Sequence, residues 1–188
     1  MYNTAIIGIG EIGYKMDKDT SRKLIWTHAK TYTTHSKTIF KAACDIDRTN
    51  YPDFKLNYPE TALYNSISTM IDNESIDILS ICTPTQSHLG IVKQVVTSAS
   101  IKAIFIEKPM GKNIKEAHEI VKLCKDSGTI LAVNYMRRWE NKYRLIKSLI
   151  DNNSLGELYS ITAYGCTALM TSTSHLIDIF LYYGGDID

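Results

Sequence analysis

Thr4-Ala5-Ile6-Ile7-Gly8-Ile9-Gly10-Glu11-Ile12-Gly13 is the stretch that decides how this chain folds. Thr4 to Ile9 reads as a buried strand, and it runs into three glycines spaced Gly8-x-Gly10-x-x-Gly13. Glycine triplets are common, and a plain strand-to-helix turn would use them too. The context sharpens the reading: an apolar strand precedes the glycines and a helical pattern follows. In that setting Gly8 permits a tight turn, and Gly10 lets the backbone approach a pyrophosphate at a helix N-terminus. Gly13 lets helix and strand pack closely. Ile9, Glu11 and Ile12 belong to the same candidate cradle.

Working outward, short apolar runs alternate with longer helix-like ones. The helical stretch after the glycines is expected over roughly 12–36, with the polar segment Lys15 to Arg22 looping out. Further strands are expected at 39–46, 62–64, 76–82, 103–106 and 130–135, and helices at about 66–73, 86–99, 114–126 and 138–152. In the last two-thirds of the chain the clearest helix is 114–126, where Ile114, Ala117, Val121 and Cys124 share a face and Gly128 follows as a stop. Continuous Ile/Val/Ala strands alternating with helices predict an α/β fold, a doubly wound parallel sheet covered on both faces. After Asn153 the pattern shifts. A strand over 158–164 and a helix over 175–183 are too little for a core of their own. The expected organisation is a dinucleotide-binding domain over 1–135 and, over 136–188, the start of a second, substrate-binding α/β domain.

Composition narrows the function classes. Of 188 residues, 44% are hydrophobic and 22% charged, and 21 Lys and Arg balance 20 Asp and Glu for a net charge of +1. That balance lacks the basic footprint of nucleic-acid binding. No apolar run approaches the roughly 18 residues of a membrane span, and the N-terminus lacks the pattern of a secretory signal. Cys44, Cys82, Cys124 and Cys166 form no close pair, which speaks against a zinc site and for reduced thiols in a cytoplasmic protein. No metal ligands are expected.

Three further positions stand where strand ends meet loops. Asp45 closes the second strand, where a carboxylate can accept hydrogen bonds from the adenosine ribose hydroxyls and repel a 2′-phosphate, favouring NAD over NADP. It stands 37 residues after Gly8 (45 − 8), beyond the usual ~20, and an insertion at Lys15 to Arg22 would supply the excess. Arg48 nearby leaves an opening for a phosphate. Thr83-Pro84, with His88 a turn later, follows the fourth strand on the ligand side of the sheet, although His88 by itself could be a surface residue. Glu107-Lys108-Pro109 ends the fifth strand. A lysine there can polarise a carbonyl or carry a proton, although Lys108 alone also reads as a solvated turn residue.

Taken in order, these motifs resemble the glucose-fructose oxidoreductase / inositol dehydrogenase / MocA family. The matching residues are Gly8-x-Gly10-x-x-Gly13, Asp45 in Ala43-Cys44-Asp45-Ile46-Asp47, and Ile81-Cys82-Thr83-Pro84 with His88. Glu107-Lys108-Pro109, Asn134-Tyr135-Met136-Arg137-Arg138-Trp139 and Ser174-His175-Leu176-Ile177-Asp178 continue the match. The run 10–15 and the segment 26–32 further resemble members found with surface-polysaccharide biosynthesis. The resemblance implies hydride transfer between a nicotinamide and a carbinol carbon of a sugar, cyclitol or nucleotide sugar. In its terms Lys108 contacts the reacting oxygen, often with a cis peptide before Pro109. Glu107 holds the nicotinamide ribose region, and Asn134 joins it on the cofactor side. His175 is the proton donor or acceptor, and Arg137 and Asp178 face the substrate. Thr171 and Thr173 depart from the family pattern, which commonly has Asp and Gly there. Family members are also much longer, so most of the substrate domain is expected to be missing. Ile161, Ala163, Leu176, Ile179, Phe180 and Leu181 would then have few partners to bury against, an association liability that a second copy or a completing polypeptide would relieve. A catalytically silent nucleotide-binding module is the alternative reading.

Overall fold

The computed structural model describes residues 1–21, 23–98, 101–164 and 173–185. The chain divides into two compact units, Met1–Asn134 and Tyr135–Asp188.

The first unit carries six strands: β1 (Tyr2–Ile7), β2 (Thr38–Cys44), β3 (Ala62–Tyr64), β4 (Ile78–Ile81), β5 (Ala103–Ile106) and β6 (Ile130–Val133). All neighbouring pairs are parallel, in the order β3-β2-β1-β4-β5-β6. The order in which strands are added therefore reverses between β1 and β4, and that switch point is where a doubly wound fold opens its ligand crevice. Side chains alternate across it. Ala5, Ile7, Ala42, Leu79, Ile81, Ile104 and Ile106 enter one core cluster, and Ile6, Ala43 and Phe40 enter another with Phe54. Each buried aliphatic side chain contributes about 1.5–3 kcal/mol of transfer free energy, which holds strands of only four residues in place.

The helices of this unit are α1 (His28–Thr34), α2 (Tyr51–Asn57), α3 (Ile67–Asn73), α4 (His88–Val95) and α5 (Ile114–Asp126). α5 matches the sequence expectation at both ends, because Asn113 caps Glu116 N at 3.0 Å and Gly128 takes φ +71° beyond the last turn. α4 is shorter than the 86–99 expected, starting after a 3-10 turn at Thr85–Ser87 and ending at Val95. α2 had no periodic signal to announce it. It is held by Phe54, fully buried against the rings of Tyr14 and Tyr58 at centroid distances of 5.0 Å.

The long helix expected over 12–36 is not continuous. After the glycines the chain makes turns and a 3-10 stretch at Lys15–Lys18, and α1 begins only at His28. The Asp17 carboxylate closes the intervening loop, accepting from Trp26 N (2.8 Å), Thr27 N (2.9 Å) and Thr27 Oγ1 (2.5 Å). Across the loop the helical bonding resumes, with His28 N donating to Ile12 O at 3.2 Å and Ala29 N to Gly13 O at 3.0 Å. In an unbroken helix Ile12 O would accept from residue 16. The loop thus inserts twelve positions (28 − 16) into the ladder, most of the excess between Gly8 and Asp45.

The second unit contains a 3-10 turn at Met136–Trp139, then α6 (Asn141–Asp151) and α7 (Ser174–Gly184). Residues 158–164, expected as a strand, belong to no ladder. Among the described residues of this unit there is no strand to pair with them, and an extended segment without a neighbour has no hydrogen bonds to fix it. Cys166 and Thr171 lie outside the described residues. Cys44, Cys82 and Cys124 are buried free thiols. Among the described residues no helix is long and apolar enough to cross a membrane.

Candidate active site

The glycine segment lies at the switch point. Gly8 N donates to Cys44 O and Cys82 N to Ile7 O, both at 2.8 Å, so the turn is suspended between the ends of β2 and β4. Gly8 has φ +96°, and a Cβ there would lie 2.9 Å from the Cys82 carbonyl carbon. At Gly13 a Cβ would fall 2.0 Å from Gly8 O. Both positions are closed to side chains by the protein itself. Gly10 is different: nothing lies within 4 Å of where its Cβ would stand, and its φ needs no glycine. Space left open in front of Gly10 is what close approach of a ligand to the backbone requires.

The electrostatics agree. Among the described residues, no acceptor takes the N–H groups of Gly10, Glu11, Ile12 or Gly13. With α1 stacked on the carbonyls of Ile12 and Gly13, these four donors form the positive end of a composite helix, suited to a pyrophosphate. Ile9 N is engaged, donating to Asp45 Oδ2 at 2.8 Å, while Asp45 Oδ1 accepts from Asp47 N at 2.9 Å. Asp45 is thereby fixed beside the cradle, and each oxygen keeps a further lone pair for a ribose hydroxyl. Asp47 instead caps the next turn through Thr49 N (2.9 Å) and Thr49 Oγ1 (2.5 Å).

Thr83 and Pro84 lie across the crevice. The Thr83 methyl packs 3.0 Å from the Cβ position of Gly8, and its hydroxyl accepts from Ser87 Oγ at 2.7 Å. His88 needs correction. It is neither a surface residue nor a ligand-facing one, but 0% exposed. Its Nε2 lies 2.8 Å from Thr83 O and its Nδ1 3.1 Å from Met110 O. The first residue of a helix that packs under two strand-end loops is well placed between them, and the ring lies between the two carbonyls, with a neutral imidazole donating to one of them.

Glu107 follows β5 and is only 8% exposed. Its Oε1 accepts from Asn134 Nδ2 at 2.6 Å and lies 3.1 Å from His28 Nε2, while its Oε2 accepts from Lys108 N at 3.3 Å. Glu107 N pairs with Ile81 O and Asn134 N with Ile106 O, so adjacent strand ends set this spacing. His28 Nδ1 is 2.8 Å from Ser80 Oγ, which is 2.6 Å from the Tyr32 hydroxyl. Burial works to lower the His28 pKa, but the Cys82 sulfur and the Glu107 carboxylate beside it prevail and raise it to about 10. Burial likewise opposes ionisation of Glu107, yet the His28, Asn134 and Lys108 donors hold its pKa below the usual carboxylate value. Lys108 is half-buried at the mouth of this network, and the Lys108–Pro109 peptide is cis.

Within the second unit, Asp178 is 7% exposed and does not present a free carboxylate to a substrate. Arg138 Nε donates to both of its oxygens, at 2.8 and 3.0 Å, and Arg138 also lies over the Tyr182 ring. The pair pins the 136–139 turn to α7. His175 packs edge-on against Tyr135 at 5.8 Å, and Arg137 is half-buried, its Nη1 without a hydrogen-bond partner among the described residues.

Sequence reasoning passed over His28, Tyr32 and Ser80. Their signals were present: His28 and Tyr32 are four apart and share a helix face, and Ser80 is a hydroxyl inside an otherwise apolar strand.

A parallel sheet in this order, with a glycine turn and the Asp45 carboxylate beside it at its switch point, defines a dinucleotide-binding Rossmann domain. The family model described as "Oxidoreductase family, NAD-binding Rossmann fold" matches residues 2–135, and the chain belongs to that family. It is 26% identical over 153 residues to the uncharacterized oxidoreductase YrbE of Bacillus subtilis, covering 81% of this chain and 41% of that protein. Over 152 residues it is 21% identical to the myo-inositol 2-dehydrogenase of Thermotoga maritima, with the same coverage of 81% and 41%. Among solved structures, the WlbA dehydrogenase of Bordetella pertussis, in complex with NADH and UDP-GlcNAcA, superposes with a TM-score of 0.80 at 19% identity. That match covers all of this chain and 59% of that one. A putative myo-inositol dehydrogenase from Sinorhizobium meliloti gives a TM-score of 0.79 at 21% identity over 100% and 56%. The chain spans less than half the length of these curated relatives.

Proposed function

We propose that the chain is the cofactor-binding part of an NAD-dependent oxidoreductase acting on a hydroxyl-bearing carbon of a sugar, cyclitol or nucleotide sugar. The observation that carries this reading is Gly10, the one glycine of the three that no protein atom requires, fronted by four unclaimed N–H donors. When bound, nicotinamide supplies the hydride acceptor or donor. The residues of this chain do the rest. Residues 10–13 bind pyrophosphate, and Asp45 holds the adenosine ribose and disfavours a 2′-phosphate. Glu107 and Asn134 orient the nicotinamide end. Lys108 contacts the substrate oxygen, and Lys108 and His175 are the groups through which the hydroxyl proton leaves or returns. Arg137, with a buried nitrogen to satisfy, is the substrate contact we favour over Asp178, which Arg138 holds. The relative named for inositol and the neighbour with a nucleotide sugar bound support the substrate class, and the resemblance of residues 10–15 and 26–32 to polysaccharide-biosynthesis members is the ground for placing the chain there. The three buried thiols support a reducing, cytoplasmic setting.

Calorimetric titration of the chain with NADH and NADPH tests this reading. NADH should bind more tightly, and Asp45→Ala should weaken it and narrow the preference. A folded chain that binds neither would overturn the proposal. Turnover with a panel of sugars, cyclitols and nucleotide sugars separates an enzyme from a silent binding module. Where turnover is seen, Lys108→Ala should lower it by about two to four orders of magnitude.

A further inference from the structure

We infer that His28 is a positioning residue for the nicotinamide end of the site, acting through Glu107, and that it ties that end to the pyrophosphate cradle. This rests on the NAD-binding reading above.

His28 does two things at once. Its backbone N–H donates to Ile12 O at 3.2 Å, completing the turn whose donors face the pyrophosphate. Its ring reaches the far side of the crevice, with Nε2 3.1 Å from Glu107 Oε1. The ring has little freedom, because Ser80 Oγ holds Nδ1 at 2.8 Å and the Phe105 ring lies 5.1 Å away, centroid to centroid. Tyr32, on the same helix face, secures Ser80 in turn at 2.6 Å.

The Glu107 carboxylate is thereby aimed. His28 and Asn134 converge on Oε1, so Oε2 is left turned to the Lys108 backbone, with acceptor capacity remaining. A buried carboxylate without a cation beside it tends to take up a proton and lose that acceptor character. Among the described residues the group placed to supply that charge to Glu107 is His28, cationic when protonated, and Cys82 is the other ionisable side chain acting on its imidazole. The His28 ring thus bears on the carboxylate that accepts from the Lys108 backbone.

The test compares two probes on the full chain: NADH, which reaches both ends of the site, and ADP, which reaches only the adenosine and pyrophosphate end. His28→Ala should weaken NADH by about tenfold, the loss of one charge-assisted hydrogen bond, and leave ADP within about twofold. His28→Gln keeps a donor for Glu107 and should recover part of the NADH affinity. Glu107→Gln should show the same NADH-selective loss, and the double variant His28→Gln/Glu107→Gln should lose no more than the larger single loss. A parallel fall in NADH and ADP affinity, or unchanged NADH affinity, would overturn the inference while the NAD-binding reading stands. If His28→Ala does not fold, the Gln variants decide by the same criteria. Failure of the unaltered chain to bind NADH removes the underlying reading, and this inference with it.

Discussion

Gly10 and Gly13 belong to one motif, and the structure places them under opposite constraints, as their separate roles in it require. A methyl at Gly13 would meet Gly8 O at 2.0 Å, with the Cys82 Cβ 3.4 Å away. Gly13→Ala is therefore expected to destabilise by at least about 2 kcal/mol, read as a drop in denaturation midpoint. A methyl at Gly10 meets nothing. Gly10→Ala should leave the melting temperature within about 2 °C and weaken NADH by about tenfold, since it fills the approach to the pyrophosphate. Equal melting temperatures for the two variants would refute the distinction. At the same scale, His28 predicts a pH dependence. Its folded-state pKa of about 10 lies above the ordinary 6.5, so its contribution is fully present below 6.5 and is lost as pH rises toward 10. Melting temperature should fall between pH 6.5 and 9 in the unaltered chain, and His28→Gln should flatten that slope. Parallel curves would mean that His28 is not charged in the folded protein.

At the scale of elements, the decisive feature is the insertion between the glycine turn and α1. Because His28 N and Ala29 N bond to Ile12 O and Gly13 O, α1 already occupies the place of an uninterrupted helix. Deleting residues 16–27 should let Lys15 run directly into His28, lowering the melting temperature by no more than a few degrees and changing NADH affinity by less than about threefold, as loop changes usually do. Collapse of the fold in this variant would show that the loop supports the sheet rather than decorating it. The sequence marked the segment as polar and loop-like, but it could not show where the helix resumes. That depends on the Asp17 clamp on Trp26 and Thr27, a contact nine and ten residues away. α2 escaped notice for a related reason. Seven residues carry too little periodicity, and its place is fixed by Phe54 entering a ring cluster built from β2 and the glycine turn.

At the scale of the molecule, every residue proposed to hold the dinucleotide lies in the unit Met1–Asn134, whose sheet and core clusters are self-contained. Residues 1–134 alone should fold cooperatively and bind NADH with nearly the affinity of the whole chain, measured by calorimetry and thermal melting. A truncated chain that folds but does not bind would place an essential contact in 135–188. That second unit leaves Leu145, Leu155, Leu158 and Tyr159 exposed. The strand expected at 158–164 finds no partner strand among the described residues of that unit, because hydrogen-bonded partners rather than residue propensity make a strand.

The sequence by itself determined the parallel doubly wound sheet and the position of the glycine turn, because strand-length apolar runs and a glycine spacing after the first of them are local signals. It also placed Asp45, Glu107, Lys108 and Asn134 at strand ends. Only the tertiary structure decided which of these side chains meet. It buried His88 between two carbonyls, bound Asp178 to Arg138, and linked Tyr32, Ser80, His28 and Glu107 through contacts between residues 48 to 79 positions apart in the chain. Such contacts depend on which strands become neighbours and how helices cross them, and no local pattern of residues encodes that.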